Sequence, residues 1–267
     1  MAAIDVWAQQ PNPTFLSQPY FDSLKRWTGN DFSEVPVEWL LQSMETAGVE
    51  KSLIAAWYAP EGTLISNEEV LALVKQYPEK FAGLASVDLR DPVTGVKTLR
   101  DYVSEHGFKG LRIVQWLWEL PCTHALYYPL LTACVELDVP ICLQVGHTGP
   151  LKSSESGRPS HIERIALDFP ELKIVCGHIG YPWTTEMIAV TTKFPNVYID
   201  TSAYVPKRYP PELVAYMKAH GSNKVMFGTN YPMISADKCM DQLDLLGLDE
   251  ECRRLFLEDN ARRVFRL

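Results

Sequence analysis

The sequence predicts a single (β/α)8 barrel. Short apolar runs rich in β-branched residues occur eight times, each followed by a stretch with helical spacing, and several of the runs end in Gly plus polar residues. Lys173-Ile174-Val175-Cys176-Gly177-His178-Ile179-Gly180 has this form most clearly: a buried parallel strand that delivers one imidazole at its carboxyl end. Pro140-Ile141-Cys142-Leu143-Gln144-Val145-Gly146-His147 and Lys224-Val225-Met226-Phe227-Gly228-Thr229-Asn230-Tyr231-Pro232 follow the same grammar. Strand ends that offer polar groups to one mouth are how such a barrel builds a site. Alternating strand and helix argues for a parallel sheet, and the dinucleotide-binding glycine fingerprint is missing after the first strand.

Taken in order, the first strand covers residues 2–6. Residues 10–35, with Pro11, Pro13, Pro19 and Gly29 among Phe15, Tyr20, Phe21 and Trp27, lack a clear period. A segment of that length implies either a lid over the mouth or a surface helix over 21–27. Trp39, Leu40, Leu41 and Met44 place a helix at 37–47, followed by a strand at 52–57, a helix at 68–76 and a strand at 81–87. Asp91-Pro92 opens a helix carried by Val96, Leu99 and Val103. A strand at 108–113, a helix at 124–137 and a strand at 140–145 come next. The remaining expectations are a loop at 148–160, a helix at 161–167, a strand at 172–176 and a helix opened by Pro182 through 194. A strand at 197–200, a helix at 210–220, a strand at 224–227 and helices over 237–245 and 250–264 complete the chain. No composition shift marks a second domain, so residues 1–267 read as one unit with 10–35 as a lid or mouth insertion.

The chain has 267 residues, 46% hydrophobic and 22% charged, an ordinary size and composition for one barrel. The net charge of −8 argues against nucleic acid or an anionic membrane as main partner and leaves small anionic substrates open. A homo-oligomer is compatible with it. The six cysteines show no C-x-x-C pair and sit largely in apolar runs, which fits reduced thiols in a cytoplasm. The start of the chain lacks the basic and apolar regions of a signal peptide, and no apolar run approaches the ~20 residues of a membrane helix.

Several motifs carry a family resemblance. Ile4-Asp5-Val6, Phe169-Pro170-Glu171-Leu172 leading to Gly177-His178-Ile179-Gly180, Pro195-Asn196-Val197-Tyr198-Ile199-Asp200-Thr201-Ser202 and Phe227-Gly228-Thr229-Asn230-Tyr231-Pro232 stand in the order seen in the amidohydrolase-related TIM-barrel family. The chain resembles that family over nearly its whole length. The resemblance implies a hydrolase, lactonase or carboxy-lyase acting on a compact, often aromatic or carboxylated molecule. It also implies, in members with a metal, His-x-His after the first strand, a His on the fifth strand and an acid in the eighth. Here those positions are Trp7 and Gln9, Gln144, and Asn230. Indole cannot ligate Zn²⁺ and neutral amides do so poorly. The expectation is therefore no cofactor, with a divalent metal such as Zn anchored by His147 and His178 as the alternative.

His178 matches the family's strand-six His and is expected to be catalytic; a hydrogen-bonded structural His is the alternative. His147 is a second catalytic candidate or a solvated loop residue. Arg112 could clamp a carboxylate with its planar fork, or form a salt bridge, for instance to Asp88. Trp7, Gln9, Trp57, Tyr58, Gln144, Asp200, Asn230 and Tyr231 are the expected substrate-binding residues, with Asp200 able to orient His178 or to serve as a structural acceptor at the strand end. Without a metal, a His general base and amide or Arg donors suffice for an activated carbonyl. The first functional expectation is accordingly a metal-independent hydrolase of a lactone, enol ester or similar compound. A carboxy-lyase on a small aromatic or unsaturated acid is the second, and a non-catalytic small-molecule-binding barrel the third.

Overall fold

The structure is a computed structural model that describes residues 2–29 and 31–267. Of the segment 10–35, Asn30 lies outside the described residues. Among the described residues, eight parallel strands form the barrel: β1 (Ala3–Ala8), β2 (Val49–Ala55), β5 (Phe81–Leu84), β6 (Leu111–Ile113), β7 (Ile141–Gln144), β8 (Ile174–Gly177), β9 (Val197–Asp200) and β10 (Val225–Met226). Hydrogen bonding runs β1-β2-β5 in one sheet and β6-β7-β8-β9-β10 in the other. Bridges Ala85↔Leu111 and Ala8↔Tyr231 join the two, and the Val6 N–H donates to the Phe227 carbonyl at 3.0 Å, so the ring closes.

Helices follow the strands on the outside: α3 (Val37–Ala47), α4 (Asn67–Gln76), α5 (Pro92–Ser104), α7 (Tyr128–Glu136), α8 (Pro159–Asp168), α9 (Thr184–Lys193) and α10 (Pro211–Met217). Their starts are chemically marked. Ser66 and Glu69 form a reciprocal capping box on α4, and the Asp91 side chain accepts from Thr94 N–H at α5. Pro182 does not open a helix as expected; it follows a cis peptide bond, and α9 begins at Thr184.

Two features escaped the sequence pattern. Trp57 to Ile65 folds as a hairpin of β3 (Trp57–Ala59) and β4 (Gly62–Ile65), and α6 (Gln115–Trp118) is a single buried turn after β6. Segment 11–28 forms α1 (Pro13–Leu16), a 3-10 turn and α2 (Asp22–Thr28). It leans on the loop after β7: Ser23 Oγ donates to the Gly149 carbonyl at 2.6 Å, and Leu151 N–H donates to the Tyr20 carbonyl at 2.8 Å. The last elements, α11 (Ala236–Met240), α12 (Glu250–Arg254) and α13 (Asn260–Phe265), complete the chain, with a π-helical turn joining the last two.

The core has two parts. One lies between strands and helices; the other fills the bore with Ile4, Val6, Trp7, Leu53, Ala55, Ala82, Leu84, Cys142, Val175 and Met226, with Ala261, Val264 and Phe265 of α13 packed against it. Alternation along β2 and β5 supplies this inner set. On β1 a register irregularity between Asp5 and Ala8 lets the consecutive residues Val6 and Trp7 both join it. That bulge aims the indole into the bore. No helix among the described residues is long and apolar enough to cross a membrane.

Candidate active site

The carboxyl end of the barrel gathers most of the predicted residues, in three layers. Deepest is Arg112, on the middle of β6 and fully buried. It reaches across the bore to β1, where Nη1 donates to the Ala8 carbonyl at 3.0 Å and Nη2 to the Val6 carbonyl at 3.3 Å. Its guanidinium lies 4.0 Å from the centroid of the Trp7 ring. The salt bridge to Asp88 does not form, because Asp88 pairs with Arg90 at 2.6 Å on the surface. Burial lowers the Arg112 pKa to about 10, while Cys142, Asp200 and Asp5 raise it. Nε has no partner.

Asp5 and Asp200 flank this cation on β1 and β9. Asp5 accepts three hydrogen bonds, from Trp7 N–H at 3.0 Å, Thr229 N–H at 3.0 Å and Thr229 Oγ1 at 2.6 Å. Burial raises its pKa to about 6 against those donors and Arg112. Asp200 is fully buried and accepts from Ser202 N–H at 2.7 Å through Oδ1, while Oδ2 has no partner. Burial lifts it to about 7 against the Ser202 hydrogen bonds and Arg112.

The middle layer is Trp7 and His178, with ring centroids 5.1 Å apart. His178 follows β8 with φ 73°, and Ile179 with φ 55°. Left-handed backbone at two successive residues with side chains costs roughly 1–2 kcal/mol each, and aims the imidazole inward. Nδ1 sits 2.7 Å from Ser202 Oγ. Nε2 has no protein partner and is not sealed from solvent. Burial and then Arg112 push the His178 pKa down to about 3, so the ring is neutral at physiological pH.

The top layer is amide and aromatic. Gln9 Nε2 donates to Asn230 Oδ1 at 3.2 Å and to the Tyr231 carbonyl, and Asn230, at φ 66°, donates its N–H to the Trp7 carbonyl at 2.8 Å. Gln144 Oε1 accepts from Trp116 Nε1 at 2.5 Å. Trp116 packs with Trp57, Tyr20 and Phe21 at 5.5–6.3 Å, and Phe15 packs edge-on to Trp57 at 5.0 Å. The Tyr20 hydroxyl, Trp57 Nε1 and Gln9 Oε1 are buried without partners. Tyr58 is half-buried on the β3–β4 hairpin, and Tyr231 is buried beside Gln9. His147 is not brought in: it lies exposed on the loop after β7, with Nδ1 3.3 Å from Ser154 Oγ and its ring 6.5 Å from Trp27. Two surface clefts of about 360 Å³ lie off this centre, one reaching Tyr231 and Trp39, the other Glu119 and His161.

Ser202 and Trp116 were missed at the sequence level. Asp200-Thr201-Ser202 at a strand end was the signal for the first; nothing local marked the second.

A divalent metal does not fit this donor set. Trp7 presents indole where the family resemblance implies the first ligand, while Gln9, Gln144 and Asn230 are amides committed to one another or to neighbours. His147 lies outside, on its loop. Among the described residues no group of three or more His, Cys, Asp or Glu is placed to hold a metal ion.

Comparison with known proteins places this architecture. A gamma-resorcylate decarboxylase from Polaromonas sp. (strain JS666 / ATCC BAA-500) is 23% identical over 277 residues, covering 86% of this chain and 84% of the relative. An uncharacterized TIM-barrel protein from Bordetella bronchiseptica superposes with TM-score 0.85 at 22% identity, covering 99% of this chain and 98% of the other. A dihydroxybenzoic acid decarboxylase from Polaromonas sp. JS666, with bound manganese and the inhibitor 2-nitroresorcinol, superposes with TM-score 0.77 at 20% identity, covering 100% of this chain and 97% of the other. The expectation of a hydrolase is overturned by these relatives, which favour the carboxy-lyase alternative. The amidohydrolase family model (Amidohydro_2) matches residues 55–267, and with this barrel, its strand order and its strand-end motifs the chain belongs to the amidohydrolase family.

Proposed function

We propose that this chain is a non-oxidative carboxy-lyase for a small aromatic hydroxy acid, working without a resident divalent metal. The observation that carries the reading is His178: a neutral imidazole at a barrel strand end, with Nδ1 held by Ser202 and Nε2 free of protein partners. The sequence relatives named as decarboxylases of gamma-resorcylate support the substrate class.

Removing CO₂ from an aromatic acid requires a proton on the ring carbon that bears the carboxylate, then cleavage of the carbon–carbon bond. The aromatic wall of Phe15, Tyr20, Phe21, Trp57 and Trp116 suits a flat ring. The same wall disfavours a localised carboxylate charge relative to neutral CO₂. The partnerless Tyr20 hydroxyl and Trp57 Nε1 are donors for ring hydroxyls or the carboxylate, and Gln9 Oε1 is an acceptor. His178 Nε2 takes up a proton from solvent water and passes it to the ring carbon, so that the imidazole begins and ends the cycle neutral. The manganese in the decarboxylase neighbour's structure belongs to that protein; the amides and indole here do not reproduce ligands for it.

Incubation with 2,6-dihydroxybenzoate and a set of related hydroxybenzoates, with CO₂ and the decarboxylated phenol quantified, tests the reading. Turnover is expected, and His178→Gln should lower it by on the order of 10² or more. Binding of these acids with no CO₂ release from any of them would refute it.

A further inference from the structure

We propose that the cleft between α3 and the loop after β10 is a second binding site, for a small aromatic acid of one ring and one carboxylate. The site goes beyond the carboxy-lyase reading and stands without it. Its volume of about 360 Å³ lies at the lower end of the usual range for small-molecule sites and suits a single ring. Trp39, Gln42, Ser43 and Thr46 form one wall, at the spacing of a single face of α3. Tyr231, Pro232 and Met233 form another, and Phe32 and Val35 also line the cleft. Phe32 and Trp39 pack edge-on with ring centroids 5.6 Å apart, yet they remain 37% and 47% exposed. Apolar side chains exposed singly are ordinary, but two aromatic rings paired in one cleft offer a surface for a further ring to cover.

Tyr231 gives the cleft its polar anchor. The residue is only 5% exposed, and a buried tyrosine normally finds a partner for its O–H. Here the hydroxyl has no protein partner among the described residues and is not sealed from solvent. Burial pushes its pKa up to about 12, so it meets a ligand as a donor. Lys238 of α11 lines the same cleft and makes no ion pair among the described residues. The one lining carboxylate, Asp237, is already engaged: Ser43 Oγ donates to its Oδ1 at 2.9 Å. Two donors without partners beside aromatic walls match a flat ring that carries an anionic acceptor. The other surface cleft has the same volume and the opposite chemistry. Glu119 and Glu155 line it, with no Phe, Tyr or Trp and no Lys or Arg. Equal space therefore does not make the two clefts equal sites.

The test is ¹⁹F NMR of the full chain labelled with 5-fluorotryptophan and titrated with benzoate. The chain has seven tryptophans, and Trp39→Phe and Trp116→Phe assign the reporters of the cleft and of the mouth. The Trp39 signal should shift saturably with a Kd on the order of 1 mM, the affinity of a fragment-sized ligand. Tyr231→Phe removes no protein hydrogen bond and should weaken binding about tenfold. Lys238→Met should weaken it by a smaller factor, as suits a solvated charge. Benzyl alcohol, of similar shape without the charge, should bind roughly tenfold more weakly than benzoate. A thermal melt checks the fold of both variants, and Lys238→Met carries the test if Tyr231→Phe does not fold. A Trp39 signal that stays in place, or that drifts with benzoate without saturating, overturns the site. A saturable shift at Trp116 alone puts the ligand in the mouth and overturns it as well. So does binding that both variants leave unaltered, or benzyl alcohol binding as tightly as benzoate. A Trp39 signal that moves with protein concentration before any ligand is added would make the cleft a contact between copies and overturn the assignment. Absence of CO₂ release from every acid tried would defeat the carboxy-lyase reading and leave this site standing.

Discussion

Gly228→Ala probes the inner end of the site with the smallest possible change. A Cβ there would lie 2.2 Å from Asp200 Oδ1, 3.2 Å from Asp200 Cγ and 3.1 Å from Ser202 Cβ. The glycine is not in the left-handed region, so the substitution adds volume without backbone strain. The carboxyl group must withdraw by on the order of 1 Å to restore contact distance. That breaks the 2.7 Å bond from Ser202 N–H to Oδ1, leaving a buried donor unmet at a cost of roughly 1–3 kcal/mol. Overpacking adds about 1–3 kcal/mol. The expected loss is therefore about 2–6 kcal/mol, large against the usual 5–15 kcal/mol of a whole domain. Urea unfolding followed by tryptophan fluorescence should show a lower midpoint at unchanged slope. Gly107→Ala is the control: its φ of 71° with nothing within 4 Å exposes only the left-handed term, about 1–2 kcal/mol. A Gly228→Ala midpoint within error of wild type would show that the Asp200 carboxyl is not pinned against this strand.

Arg112→Met should destabilise by about 3–5 kcal/mol at neutral pH, since it strands two buried carboxyls without their cation. The penalty should shrink on acidification, as Asp5 and Asp200 protonate, and urea melts at several pH values measure it. The same titrations give opposed pH dependences in the intact protein. The folded-state values of Asp5 and Asp200 are raised to about 6 and about 7, so their contribution improves as pH falls from there toward the ordinary aspartate value. The folded-state value of His178 is lowered to about 3, so its contribution is full above the ordinary imidazole value and is lost as pH falls toward the folded one. Between about pH 7 and about pH 4, His178→Gln should thus resist acid better than wild type and Asp200→Asn worse, read as the change in unfolding free energy. Elemental analysis of protein purified without chelator should find manganese and zinc well below stoichiometric; a full equivalent lost to chelator together with a drop in melting temperature would refute the donor-set argument.

The barrel was legible because eight apolar runs and eight helical stretches are local signals, and α3 and β9 run as expected, at Val37–Ala47 and Val197–Asp200. The β3–β4 hairpin was not legible, since Trp57-Tyr58-Ala59 reads as the tail of β2 until the chain is seen to turn at Pro60 and Glu61. His178 stood out because glycines flank it. The roles around it did not, because they depend on contacts between residues far apart in sequence: Ser202 lies 24 residues from the imidazole it holds. Arg112 misled for a related reason. A strand-end arginine suggests an anion outside the fold, whereas only the folded bore reveals that the two carbonyls on β1 take its donors.

The stack of Arg112 under Trp7 also bears on what it would take to build a metal site in this barrel. The indole stands at the first ligand position that the family's metal-bearing pattern implies, with the guanidinium carbon 4.0 Å from its ring centre. A dication seated there would repel the fixed cation by about 8 kcal/mol at an effective dielectric constant near 20. Placing a histidine at position 7 alone would therefore create a ligand for an ion that the bore already rejects, and removing Arg112 alone would strand Asp5 and Asp200. The first step gains no bound metal and the second loses stability, so a metal site at this position requires both residues to change together.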